Sequence, residues 1–268
     1  MKLLQIDAFA SGPFRGNPAA VCLLDREALA DWMQSVAAEM NLSETAFLLP
    51  LSASSGALNT WSLRWFTPTV EVDLCGHATL ASAHALWETG ALPLDDIARF
   101  ETRSGILTAR RDGDWIELDL PVKREEQIDA PAELLASLGI DDPVYAGRNQ
   151  FDYIIEVRSE AIVRALEPDH ARLRKLAVRG AIVTSRSSST EFDFVSRYFA
   201  PGSGIDEDPV TGSAHCCLAP FWSRRLGKNE FMAYQASRRG GVLRVRLEGD
   251  RVRIGGRAVT VLRGNLAV

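Results

Sequence analysis

The chain opens on an alternation: Leu4, Ile6 and Ala8 are apolar and interleave with Gln5 and Asp7, and residues 21–24 form a short apolar run. This pattern predicts two strands joined by a Gly/Pro-containing loop. The period then changes. Leu29, Met33, Val36, Ala37 and Met40 recur at helical spacing, which predicts a helix over about residues 27–40, closed by Asn41. Strand patterns return at residues 46–49 and 61–66, separated by a Ser/Gly/Ala turn region over 51–59. Residues 106–110 and 115–120 read as a hairpin turning at Asp112-Gly113-Asp114.

Pro121 begins a charged stretch whose residues 123–131 are the best linker candidate, dividing the chain into halves 1–122 and 123–255. In the second half short helices are expected over 133–138, closed by Gly139, and over 168–176. Strands are expected over 153–157, 181–184, 192–199, 231–236, 242–247, 252–254 and 258–262. Many short strands beside few long helices point to an α+β fold rather than a doubly wound parallel sheet.

One motif occurs twice. The first copy runs from Phe66 to Ala78 and the second from Phe199 to His215; each opens Phe-x-Pro and ends on a polar residue between Gly and Ala. Glu71 aligns with Glu207, Cys75 with Thr211, Gly76 with Gly212 and His77 with Ser213. An apolar run follows each copy, ending before Gly90 and near Gly227, and both read as buried helices. Pro220 is expected to kink the second or split off its last turn. Gly76-His77 and Gly212-Ser213 would then start helices, where unpaired N–H groups and the dipole favour an anion. Facing a common cleft, two such starts would hold a substrate carboxylate; otherwise they are only turn and N-cap signals.

Composition narrows the function classes. Net charge is −5 and no basic cluster dominates, which argues against a nucleic-acid partner. Arg110-Arg111, Arg224-Arg225 and Arg238-Arg239 read as solvated pairs. No apolar run reaches membrane-spanning length, and the N-terminus opens on a strand pattern rather than a signal peptide. Cys22, Cys75, Cys216 and Cys217 have neither a disulfide-framework nor a C-x-x-C spacing, so reduced thiols in the cytoplasm are expected. No nucleotide-binding glycine motif is present.

Among candidate chemical groups, Glu44 follows a helix end and precedes an apolar strand. Partial burial there would raise its pKa and suit a group that takes and returns a proton; alternatively, Ser43 or Glu44 only organises the turn. Asp208 lies four residues before Gly212 in the acidic run 206–208, and reads either as a solvated turn or as a helix-start carboxylate. A Cys75 thiolate base would need a partner in the other half, but that position holds Thr211, whose hydroxyl is too weakly acidic. Cys216 and Cys217 read as core residues. A metal site from His77, His84, His215 and Cys216 lacks helix-face ligand spacing, so no metal is expected.

Four segments in order, G-N-P-A-A-V (16–21), N-L-S-E-T-A-F (41–47), C-G-H-A-T (75–79) and E-D-P-V-T-G-S-A-H (207–215), resemble the phenazine-biosynthesis PhzF-like family. The resemblance implies a diaminopimelate-epimerase-like fold: two pseudo-symmetric halves, each a β-barrel-like sheet around a central helix, with the site between them. It implies that the final strands, about 256–268, pack on the first half and that the protein is a homodimer. It makes Glu44 the general acid/base and gives His77, Asp208 and Ser213 catalytic positioning roles, with Gly76, Gly212 and Ser43 binding substrate. The implied activity is a cofactor-independent isomerisation of a small carboxylate-bearing compound such as trans-2,3-dihydro-3-hydroxyanthranilate. The alternatives are an epimerase or racemase of the same fold using Cys75, and a non-catalytic metabolite-binding relative.

Overall fold

The computed structural model describes residues 1–51, 59–176 and 178–267, so all but the ends of the turn region expected over 51–59 lies outside the described residues. The chain divides into two compact units, Met1–Leu120 with Ile254–Val268, and Pro121–Arg253.

The first unit contains β1 (Lys2–Ala8), β2 (Asn17–Leu23), α1 (Ala30–Met40), β3 (Glu44–Pro50), β4 (Thr60–Phe66), β5 (Glu71–Val72), α2 (Gly76–Glu88), β6 (Ala98–Thr102), β7 (Gly105–Asp112) and β8 (Trp115–Pro121). The last strand of the chain, β17 (Ala258–Asn265), pairs antiparallel with β1. From β1 the sheet continues through β2, β3, β4, β6, β7 and β8. β2–β3 and β4–β6 are its parallel pairs, and each needs a helical crossover: α1 for the first, α2 for the second.

α2 packs on β1, β2, β3, β7 and β17, so the sheet curls around it. Its small side chains make that enclosure possible: Ala78, Ala81, Ala83 and Ala85 are all buried. The buried hydroxyls of Thr79 and Ser82 donate back to Cys75 O (2.5 Å) and Ala78 O (2.7 Å), which satisfies them inside an apolar environment. α1 lies on the other face, where Met33, Val36 and Ala37 pack with Cys22, Phe47 and Phe66. It begins at Ala30, three residues later than its apolar period suggested, and Leu29 is 80% exposed at the N-cap. Asn41 ends it in the left-handed region (φ 51°).

The second unit contains β9 (Glu126–Gln127), α3 (Ala132–Leu138), β10 (Tyr145–Arg148), β11 (Asp152–Glu156), α4 (Glu160–Ala165), α5 (His170–Leu173), β12 (Gly180–Arg186), β13 (Phe194–Phe199), α6 (Gly212–Leu226), β14 (Glu230–Gln235), β15 (Gly241–Glu248) and the first half of β16 (Arg251–Gly256). Here the order is β9–β10–β11–β12–β13–β14–β15, with β11–β12 and β13–β14 parallel. The sequence of antiparallel and parallel pairs along β10–β15 thus repeats that of β1–β7. The stretch expected as a linker carries β9, and β10 and α4 were not foreseen.

Of the kink or split expected at Pro220, the split does not occur: α6 runs without interruption from Gly212 to Leu226. Proline cannot donate to Cys216 O; the backbone N–H of Lys123 donates there instead, at 3.0 Å. A backbone donor from the stretch after β8 therefore satisfies the carbonyl that a mid-helix proline would orphan. The arginine pairs are also less free than expected. Arg224 bonds the buried carboxylate of Glu125, and Arg225 lies 3.6 Å above the Phe221 ring centroid.

Candidate active site

In the first unit, three element starts meet. β2 begins at Asn17 and β3 at Glu44; the two strands are parallel with Ala19 opposite Glu44, so their first residues lie at one end of the sheet. α2 begins at Gly76, and His77 is its second residue. The side chains of Asn17, Glu44 and His77 converge. Nδ2 of Asn17 is 3.0 Å from Nδ1 of His77, and Nε2 of His77 is 3.2 Å from Oε2 of Glu44. Cys75, the N-cap of α2, places Sγ 3.5 Å from the same Nδ1.

Burial sets the protonation state of this group. The His77 side chain is 5% exposed, and desolvation pushes its pKa down to about 3. At neutral pH the contact is therefore between a neutral imidazole and a carboxyl group, not an ion pair. An Asn17 amide that donates to Nδ1 puts the ring proton on Nε2, the nitrogen nearer Glu44. The Glu44 side chain keeps 12% of its surface exposed, so its carboxyl is reachable while being enclosed on most sides. Ser43 beside it is half-buried.

The loop ahead of Asn17 is tightly built. Gly16 adopts φ 64°, and a Cβ there would sit 2.1 Å from the carbonyl oxygen of Ala8. The buried Asp7 carboxylate accepts the backbone N–H of Phe14 at 2.7 Å, holding Phe14 at φ 66°. Asn17 thus reaches His77 from a backbone that only glycine at position 16 permits.

In the second unit the corresponding helix start is organised differently. Thr211 caps α6 and its hydroxyl donates to Oδ2 of Asp208 at 2.5 Å. Gln235 brackets the turn: its Oε1 accepts the Thr211 N–H (2.8 Å) and its Nε2 donates to the Asp208 carbonyl (2.7 Å). Gly212 is buried and Ser213 half-buried in the first turn. The acidic run divides its work, with Asp206 on Arg174, Glu207 on Arg197 and Asp208 on Thr211. His215 is buried within the first turns of α6. Its Nδ1–H donates to Thr211 O (2.9 Å), the ring stacks on Phe194, and burial pushes its pKa down to about 4.

The repeat reaches further than the motif first showed. Glu71 and Glu207 each hold an arginine through both oxygens: Arg64 at 2.7 and 2.8 Å, Arg197 at 2.6 and 2.9 Å. Each guanidinium also lies over the phenylalanine two residues on, Phe66 and Phe199. The signal was present as Arg-Trp-Phe and Arg-Tyr-Phe at the head of the two copies. Strand register then aligns the units residue by residue. Thr45 pairs with Phe66 as Ala181 pairs with Phe199, so the position equivalent to Glu44 is Gly180. The acid of the first unit has no counterpart at its repeat position in the second.

Sequence reasoning singled out Glu44, His77 and Cys75, which the structure brings together, but gave no role to Asn17 or Gln235. The metal quartet considered from sequence is not a cluster: His84 bonds Thr260 and neighbours Glu88, and His215 is packed as above. Cys216 is buried, its thiol pushed up to about 12, and Cys217 is likewise buried with its thiol raised.

Residues 6–264 match the family model for phenazine biosynthesis-like proteins, PhzC-PhzF. An uncharacterized isomerase of Halalkalibacterium halodurans is 56% identical over 97% of this chain and 96% of its own length. A PhzF-family crystal structure from Enterococcus faecalis superposes with a TM-score of 0.92 at 38% identity, covering 100% of this chain and 99% of that one. A probable proline racemase of Agrobacterium radiobacter shares the fold alone, with a TM-score of 0.62 at 13% identity over 100% of this chain and 93% of its own. The family match spans nearly the whole chain, and the chain belongs to the PhzC-PhzF phenazine biosynthesis-like family.

Proposed function

We propose that the protein is a cofactor-independent isomerase that relocates a proton on a small carboxylate-bearing substrate of the dihydro-hydroxyanthranilate type, with Glu44 as general acid and base. The observation that carries this reading is the Glu44–His77–Asn17 arrangement: a partly exposed carboxyl beside a buried neutral imidazole whose orientation is fixed. The isomerase names of relatives such as the Halalkalibacterium protein agree with it.

In this mechanism the Glu44 carboxylate removes a proton from a substrate carbon, the electron pair shifts through the adjacent double bond, and the carboxylic acid returns the proton to another carbon. Atoms and electrons balance with no external oxidant or reductant. His77, held neutral by burial, stands with Nε2 3.2 Å from the Glu44 carboxyl and does not ionise. Gly76 and Gly212 present backbone N–H groups to the substrate carboxylate, Ser43 and Ser213 contribute hydroxyls, and Asp208 acts by holding Thr211 and the start of α6. A single acid/base accords with Gly180 standing at the position equivalent to Glu44, and with Thr211 opposite Cys75 where a two-thiol racemase needs a second thiol.

The reading takes residues of both halves as serving one substrate and the active form as a homodimer in the cytoplasm. The four cysteines are thiols rather than disulfides, which accords with a reducing compartment, and among the described residues no helix is long and apolar enough to cross a membrane. Glu44→Gln is the direct test: turnover should fall by about 10² to 10⁴-fold while ligand binding is nearly unchanged. Lost binding with retained turnover would refute the assignment.

A further inference from the structure

Glu44, Cys75 and His77 are an oxygen, a sulfur and a nitrogen donor, and one donor atom from each lies within 4.8 Å of the other two. We propose that these three side chains form a binding site for a divalent cation of borderline softness, Zn²⁺ foremost, with a fourth position open to water or substrate. The donor types are those zinc accepts, and a three-ligand set with one open position is its usual arrangement at a reactive site. Magnesium and calcium, which take oxygen ligands, are disfavoured by the thiol and the imidazole.

The geometry is close to what the ion needs. At zinc bond lengths and tetrahedral angles, a nitrogen and an oxygen ligand stand about 3.3 Å apart, and a sulfur about 3.5 Å from either. His77 Nε2 and Glu44 Oε2 are 3.2 Å apart, so this edge of the site is already formed. Cys75 Sγ, now 3.5 Å from the other ring nitrogen, needs a side-chain rotation to close the third corner. Asn17 supplies the outer contact. Its amide lies 3.0 Å from Nδ1, and turning it over would offer Oδ1 to an Nδ1–H. That exchange moves the ring proton from Nε2 to Nδ1 and frees the Nε2 lone pair for the cation, the arrangement in which a ligating histidine donates its second N–H. Binding forms a metal–sulfur bond and releases the thiol proton to solvent, and no electron is transferred.

The cation occupies the carboxyl that the proposed reaction uses, so Zn²⁺ blocks proton transfer; this consequence, unlike the site, rests on Glu44 being the acid/base. The test is titration of the reduced full-length protein with Co²⁺, read by absorption, followed by Zn²⁺. The wild type should bind one Co²⁺ with a thiolate-to-cobalt charge-transfer band, and Zn²⁺ should abolish it. Cys75→Ser should lose the band, whereas Cys216→Ala, altering a buried thiol outside the site, should retain it. Glu44→Gln, which leaves the helix start untouched, should keep the band and bind Co²⁺ at least about tenfold more weakly. No band in the wild type at millimolar Co²⁺, a band surviving Cys75→Ser, or unchanged affinity in Glu44→Gln overturns the site. Deuterium exchange into substrate that continues with Co²⁺ bound would instead overturn the role of Glu44 and leave the site standing.

Discussion

Two histidines that the fold holds neutral make stability depend on pH in a definite direction. His215 titrates at about 4 and His77 at about 3 in the folded chain because burial penalises the charged form, against an ordinary value of 6.5. Below pH 6.5 the unfolded chain takes up protons that the folded chain refuses. The stability they confer is therefore complete above pH 6.5 and is lost as the pH falls toward the folded values. For His215 alone the loss at pH 5 is about 2 kcal/mol, and it approaches about 3 kcal/mol at pH 4. His215→Thr isolates this contribution. Thr79, at the equivalent position of the first unit, donates its hydroxyl to the N-cap carbonyl of Cys75, so a threonine can serve Thr211 O in the same way. The variant leaves a cavity beside Phe194 and should be less stable at pH 7.5. Urea unfolding at pH 7.5, 6.5 and 5 reads the comparison: the gap between wild type and variant should narrow by about 2 kcal/mol at pH 5. Parallel curves, with a gap independent of pH, would refute the account of His215 as a buried neutral group.

Gly16→Ala should cost at least about 2 kcal/mol, since it combines a left-handed backbone with a 2.1 Å approach to Ala8 O; thermal melting measures it, and an unchanged Tm would contradict the loop geometry. Arg197→Lys should cost about 3 kcal/mol, because lysine cannot span both Glu207 oxygens and the carbonyls of Val163 and Leu166, as guanidine titration would show.

Local pattern made most of the strands legible, together with both motif-bearing helices and the duplication, because each rests on spacing within a short window. The start of α1 was misplaced because Leu29 matches the helical period yet stays largely exposed; periodicity does not reveal where an apolar face ends. The persistence of α6 through Pro220 was illegible for the opposite reason: the rescuing donor, Lys123, lies ninety-seven residues away in sequence and belongs to a segment that read as linker. The site divides along the same line. Glu44 and His77 announced themselves through unusual neighbours in the chain, whereas Asn17 joins them only through the parallel pairing of β2 and β3. Arg64 and Arg197 sat in plain view at the heads of the repeats, but their meaning depended on carboxylates further along each copy.

The central claim is that Glu44 moves the proton. Wild type and Glu44→Gln, incubated in heavy water with dihydro-hydroxyanthranilate and a panel of small cyclic and amino acids, can be followed by NMR for deuterium entering a substrate carbon. The account predicts incorporation by the wild type and a loss of about 10² to 10⁴-fold in the variant. Incorporation at an equal rate in Glu44→Gln would contradict it.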